Sequence, residues 1–283
     1  MCAHVSVTIT LGVLFIFFSP LFLFTVKGIE RTHQVCSDRM IERNVYLRCK
    51  PSTAKYGDLA VRNYVSTLDL WIVSHGAVGS NNLIEHLENR TKLKLRSDMT
   101  KYQVSCHYPY LLKNIKRKTR VLYIAGNVRH ALESMNRRSF LIPNVIKINF
   151  GGTGRCRYLT SCWEEWINAR LNTHATDPLG IEAQVTSFLS SNSSRVGFLR
   201  YPYCRNDVVE IFSKLRLFEY GEARQVFADF ECKKKHSTQR SHSFTYKARM
   251  INYDILDNAL MSIPTASLTN EKEFATKVRE HFD

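Results

Sequence analysis

The sequence predicts an α/β domain: a parallel β-sheet flanked by helices, with a phosphate-binding strand–loop–helix, preceded by one transmembrane helix. Three observations predict it. Residues Val5–Val26 form an uncharged run about as long as a helix needs to cross a bilayer. From about residue 67 onward, short apolar runs alternate with helical stretches, as in a parallel α/β sheet. One of those runs opens into a glycine-containing turn and then a helix, LDLWIVSHGAVGSNNLIEHLE.

The organisation follows from these. Residues 1–4 are a short tail and 5–26 a signal anchor, favoured over a cleaved signal because no small-residue cleavage site follows closely. Residues 27–66 are polar and irregular and read as a stem or lead-in; the folded domain is expected over 67–283. Strands are expected at Leu68–Val73, Tyr102–Cys106, Val121–Ala125 and Val196–Tyr201. Helices are expected at Asn82–Glu88, Val128–Arg138, Ile181–Leu189 and Asp207–Leu217, with helix-like sequence from Asn270. Lys233–Lys235 opens the last stretch.

Charge narrows the partners. Of 283 residues, 40 are Lys or Arg and 25 Asp or Glu, a formal net charge of +15. Such a surface attracts polyanions: nucleic acid, anionic lipid, acidic glycans or a phosphate-rich ligand. No basic helix with heptads and no Cys/His finger spacing occurs, so nucleic acid is not expected. The eight cysteines form no CxxC pair, which argues against a zinc site, and no metal is expected. Cys36 with Cys49, and Cys156 with Cys162, are local candidates for pairing; Cys106, inside an expected strand, reads as a buried free thiol. Topology is ambiguous. Lys27 and Arg31 follow the apolar run and favour a cytoplasmic domain, whereas the sequons at Asn89 and Asn192 favour a lumenal, glycosylated one.

Three segments carry candidate chemistry. In the first, Gly76 and Gly79 let the backbone turn sharply and approach a ligand, and Ser80 and Asn81 stand where the helix begins. Free N–H groups and the positive end of a helix suit a phosphate or sulfate there, although Ser80 also suits a plain helix cap. No Walker lysine is present, which disfavours a phosphoryl transferase. In the second, YQVSCHYPY, His107 closes an expected strand. Its imidazole suits a general base, or merely a turn before Pro109. In the third, VLYIAGNVRHALESMNRR, Arg129 and Ser134 offer a guanidinium and a hydroxyl to a phosphate, or else belong to a solvated basic helix face.

Taken in order, the three segments resemble the sulfotransferases that use 3′-phosphoadenosine 5′-phosphosulfate. Gly79, Ser80 and Asn81 match that family's phosphosulfate loop. Cys106-His107-Tyr108-Pro109 matches its T-H-x-P-like motif, with Cys for Thr. Tyr123, Ala131, Leu132 and Ser134 match its 3′-phosphate strand–turn–helix. Residues from Asp177 and from Val196 look like its later helix and strand, so the resemblance spans about 70–217. It departs from the family at two places. The loop His75-Gly76-Ala77-Val78 has no Lys, and Gly126 stands where the family has Arg.

The resemblance implies a membrane-anchored, lumen-facing Golgi enzyme moving a sulfuryl group to a hydroxyl or amine, most plausibly on a glycan. It implies His107 as base, the Gly76–Asn81 loop on the phosphosulfate, and Arg129 and Ser134 on the 3′-phosphate. The alternative is a degenerate member of the family that binds acidic glycans without catalysis.

Overall fold

The computed structural model describes residues 58–138, 140–150, 177, 179–232 and 251–282; residues 1–57, including the apolar run 5–26, lie outside them. Among the described residues no helix is long and apolar enough to cross a membrane. They form a mixed α/β arrangement. A four-stranded sheet in the order β1-β2-β3-β4 is built from β1 (Leu70–Ser74), β2 (Arg120–Ala125), β3 (Val196–Arg200) and β4 (Ala266–Leu268). β1, β2 and β3 are parallel, in register Ile72↔Leu122 and Leu122↔Gly197. β4 is antiparallel to β3, with Phe198 opposite Ser267, so the sheet is mixed rather than all-parallel.

The parallel strands read LWIVS, RVLYIA and VGFLR, and almost every position is buried. Near-continuous apolar runs of this kind suit strands covered on both faces. The connections carry helices, as parallel crossovers require. They are α1 (Asp58–Val65), α2 (Ser80–Arg90), α3 (Met99–Ser105), α4 (Val128–Arg137), α5 (Leu141–Phe150), α6 (Ile181–Leu189), α7 (Arg205–Lys214), α8 (Tyr220–Val226), α9 (Ile251–Ser262) and α10 (Lys272–Phe282). Helix α6 buries Val185, Phe188 and Leu189. The Phe188 ring stacks on Tyr123 at 4.8 Å and meets Trp71 edge-on at 5.7 Å. Each of these side chains contributes about 1.5–3 kcal/mol by leaving water.

One expectation is corrected. Residues 102–106 are not a strand; they fall in α3 and the turn after it. The Asp98 carboxylate accepts the Lys101 N–H at 3.1 Å, the position of an N-cap, and Tyr102, Val104 and Ser105 turn inward. Local capping thus decided a short apolar run that periodicity left open. Packed residues are also found before residue 67. Val61, Tyr64 and Val65 of α1 are in the core. The described disulfide joins Cys204 to Cys232, 28 residues apart; the expected pairs Cys36–Cys49 and Cys156–Cys162 lie outside the described residues, as does Lys233–Lys235. Cys106 is a free, half-buried thiol whose pKa is raised by burial.

Candidate functional site: two helix starts and a histidine pair

The loop between β1 and α2 is held open by backbone geometry. Gly76 has φ 107°, Ala77 53° and Gly79 75°. A Cβ on Gly76 would fall 2.6 Å from Asn144 Nδ2 and from Met135 Sδ, and at φ 107° any L side chain is strained. One on Gly79 would fall 3.0 Å from the Tyr201 ring. Gly79, not Ser80, is the N-cap; no side chain caps α2, and Ser80 is its first helical residue. Among the described residues, no backbone acceptor meets the N–H groups of Gly76, Ala77 or Val78. Free N–H groups leading into a helix start form the electrostatic arrangement that attracts an anion. One side of the loop is covered, where the Tyr203 hydroxyl donates to Gly79 O at 3.0 Å. The Asn81 side chain is exposed and accepts from the Tyr102 hydroxyl at 3.3 Å.

His107 follows a helix rather than a strand, yet it reaches the exit of β1. Its Nδ1 lies 2.6 Å from Ser74 O. A carbonyl only accepts, so Nδ1 carries the proton and Nε2 keeps its lone pair. Burial lowers its pKa to about 3, and the Lys147 charge lowers it further. The segment around it is pinned by residues distant in sequence. Gln184 Nε2 donates to Tyr108 O at 2.8 Å, Ser187 Oγ accepts the Leu111 N–H at 3.1 Å, and Asp58 accepts from the Tyr108 and Tyr110 hydroxyls. Those two bonds hold the Asp58 pKa below the usual carboxylate value.

His75 is the second imidazole, 0% exposed. The Gly126 N–H donates to its Nε2 at 3.1 Å, so the proton sits on Nδ1, which is buried with no partner. Burial lowers its pKa to about 4. Both imidazoles are therefore neutral above about pH 5.

The start of α4 is different in kind. The side chain of Asp257, on α9, is 6% exposed and accepts the N–H groups of Val128 and, at 3.4 Å, Arg129. Asn127 Oδ1 accepts the His130 N–H at 2.8 Å. Desolvation raises the Asp257 pKa to about 6, partly opposed by those two backbone bonds. The Arg129 guanidinium lies 3.6 Å from Asp254 and 3.9 Å from Glu133. Ser134 is half-buried one turn further along, and its carbonyl accepts from Arg138 Nε at 3.1 Å.

The structure thus brings Gly76, Gly79, Ser80 and His107 to the exit of β1, and sets Arg129 among carboxylates instead. Sequence reasoning missed His75, Lys147, Gln184 and Asp257. A polar Ser-His step closing the apolar run LWIVSH is the local signal that could have marked His75; nothing local marks Asp257, whose partners lie 129 and 128 residues away. Among the described residues no group of His, Cys, Asp and Glu is arranged to hold a metal ion. Asn89 and Asn192, the two sequon asparagines, are both exposed.

Fold and site together define a mixed α/β domain with a glycine-bearing strand–loop–helix beside two histidines, His75 buried and His107 half-buried. No family model matches the chain, no curated protein is detectably similar to it, and no solved structure matches it.

Proposed function

We propose that the domain is a sulfotransferase-like enzyme. It takes the phosphosulfate end of 3′-phosphoadenosine 5′-phosphosulfate on the β1–α2 loop and transfers the sulfuryl group to a hydroxyl or amine, on a glycan by family resemblance; the S–O bond to the 5′-phosphate breaks and adenosine 3′,5′-bisphosphate leaves. The observation that carries this reading is the His107–Ser74 bond. It sets an unprotonated Nε2 at the same strand exit as the anion-attracting loop, across 33 residues of chain. The loop N–H groups and the α2 dipole would hold the negative group, while Nε2 accepts the acceptor's proton. A pKa near 3 makes His107 a weak base in the free protein. An anion placed in the loop would raise it, because a nearby negative charge favours imidazolium. No metal enters this scheme.

The test is donor binding and transfer measured side by side on the full chain. His107→Ala is expected to leave binding nearly intact and to cut transfer by about 10²–10⁴-fold. Retained turnover removes His107 from the chemistry.

A second reading has its own support. Asp257 already supplies the negative charge at the start of α4, and Arg129 is engaged with acids. Both features suit a non-enzymatic relative that has given up the 3′-phosphate contact. Failure of the unaltered chain to bind the donor, with no transfer across a panel of glycan acceptors, would favour it.

A further inference from the structure

The parallel strands leave their N-terminal ends along one rim, opposite the loop. Strands of five or six residues put the two ends about 17–20 Å apart. Arg120 opens β2, Arg195 directly precedes β3, and the Val121 N–H donates to Arg195 O at 2.9 Å. The approach to β2 reads KNIKRKTR from Lys113, without an acid. Arg195 Nη1 donates to Lys116 O at 3.2 Å. Arg120 donates to Arg117 O at 3.0 Å and to Leu215 O at 2.7 Å, next to Arg216. Lys116, Arg117, Lys118, Arg120, Arg195 and Arg216 therefore share one rim.

Arg120 and Arg195 have structural work, tying loops to the sheet through carbonyls. The other four are exposed, and among the described residues none of the six meets a carboxylate. Acids at this rim are committed elsewhere. Asp69 accepts the Lys94 N–H at 2.9 Å, and Glu271 accepts the Leu268 N–H and holds Lys214 at 3.0 Å. Folding does not require four uncompensated charges side by side, and their mutual repulsion opposes it.

We propose that this rim binds an acidic glycan chain, sulfated or uronic-acid-bearing, at a site separate from the β1 exit. Arg and Lys together suit its anions, Arg through its fork of donors and Lys as a point charge. The Cys204–Cys232 disulfide selects this polyanion over others. Disulfides persist in oxidising compartments, where acidic glycans are made and displayed. The anionic leaflet of the plasma membrane faces the reducing side. The proposal holds whether or not the loop takes a nucleotide.

The experiment measures binding of the full chain to a heparin oligosaccharide without nucleotide. The rim variant combines Lys116→Glu, Arg117→Glu and Lys118→Glu; the control combines Arg137→Glu, Arg224→Glu and Arg279→Glu on α4, α8 and α10. The rim variant is expected to lose at least about tenfold in affinity and the control under about threefold, with a reduced salt slope only for the rim. Lys116→Gln with Lys118→Gln, which changes less of the surface, is expected to lose about threefold. Equal losses for rim and control would reduce the effect to net charge and overturn the proposal. So would an unaffected rim variant, or tighter binding to phosphatidylserine vesicles or RNA than to the oligosaccharide.

Discussion

The starts of α2 and α4 are the same device in two conditions. Each follows a parallel strand and a short turn, and each presents the positive end of a helix. At α2 the cap is Gly79 in a left-handed conformation with no side-chain acceptor. At α4 a nearly buried carboxylate from α9 receives the first N–H groups. One start keeps its positive potential uncompensated by a side chain, whereas the other is neutralised from within. A strand–turn–helix is therefore not evidence of an anion site until the occupant of its N-terminus is known.

Acid should affect the two regions in opposite directions, and the histidines are expected to dominate. His75 has a folded pKa of about 4 against an ordinary 6.5. Its contribution is complete above about pH 6.5 and is lost as pH falls towards 4, about 3 kcal/mol in all. His107 adds a loss of the same sign, reduced by its partial exposure. Urea midpoints between pH 7.5 and 4.5 should fall, and His75→Asn should flatten the decline. An unchanged slope in that variant would show that His75 is not buried neutral.

The Cys204–Cys232 bridge secures the turn whose Tyr203 covers the Gly79 side of the open loop. Replacing both cysteines by Ser is expected to cost about 3.5 kcal/mol, the entropy of a loop of this length. Hydrogen exchange should accelerate at Gly76–Asn81 and not at Val128–His130. Equal acceleration in both places would mean that the bridge serves the whole fold.

Asp257 gives a smaller effect of the opposite sign. Its folded pKa is raised from 3.8 to about 6, so its contribution is greatest below about pH 4 and is lost as pH rises through 6. Relative to Asp257→Asn, the unaltered protein should lose up to about 2 kcal/mol between pH 4 and pH 6.5. A constant difference would indicate a solvated carboxylate. Smaller still is Gly79→Ala, where φ 75° costs about 1 kcal/mol in stability and the added methyl meets Tyr201 at 3.0 Å.

Much of the scaffold was legible in the sequence. The runs over 121–125, 128–138, 181–189 and 196–201 lie within a residue of β2, α4, α6 and β3, because each combines a clear period with a turn residue at its edge. The run 102–106 was not legible, since Tyr-Gln-Val-Ser-Cys alternates like a strand and only the Asp98 cap makes it helical. At the site, Gly76 and Gly79 could be read because positive φ restricts the residue type. The tautomers of His75 and His107 could not, since each depends on a backbone group 51 or 33 residues away. Asp257 could not be read at all, because a buried carboxylate in INYDILDNAL resembles any polar position of an amphipathic helix.

The contrast between the two helix starts is tested most directly by amide chemical shifts during titration of the full chain with adenosine 3′,5′-bisphosphate. Shifts concentrated at Gly76–Asn81, with His107 moving to a higher pKa and Val128 and Arg129 unmoved, are the predicted result. Shifts centred on Val128 and Arg129, or none at Gly76–Asn81, would contradict the assignment of the open site to α2.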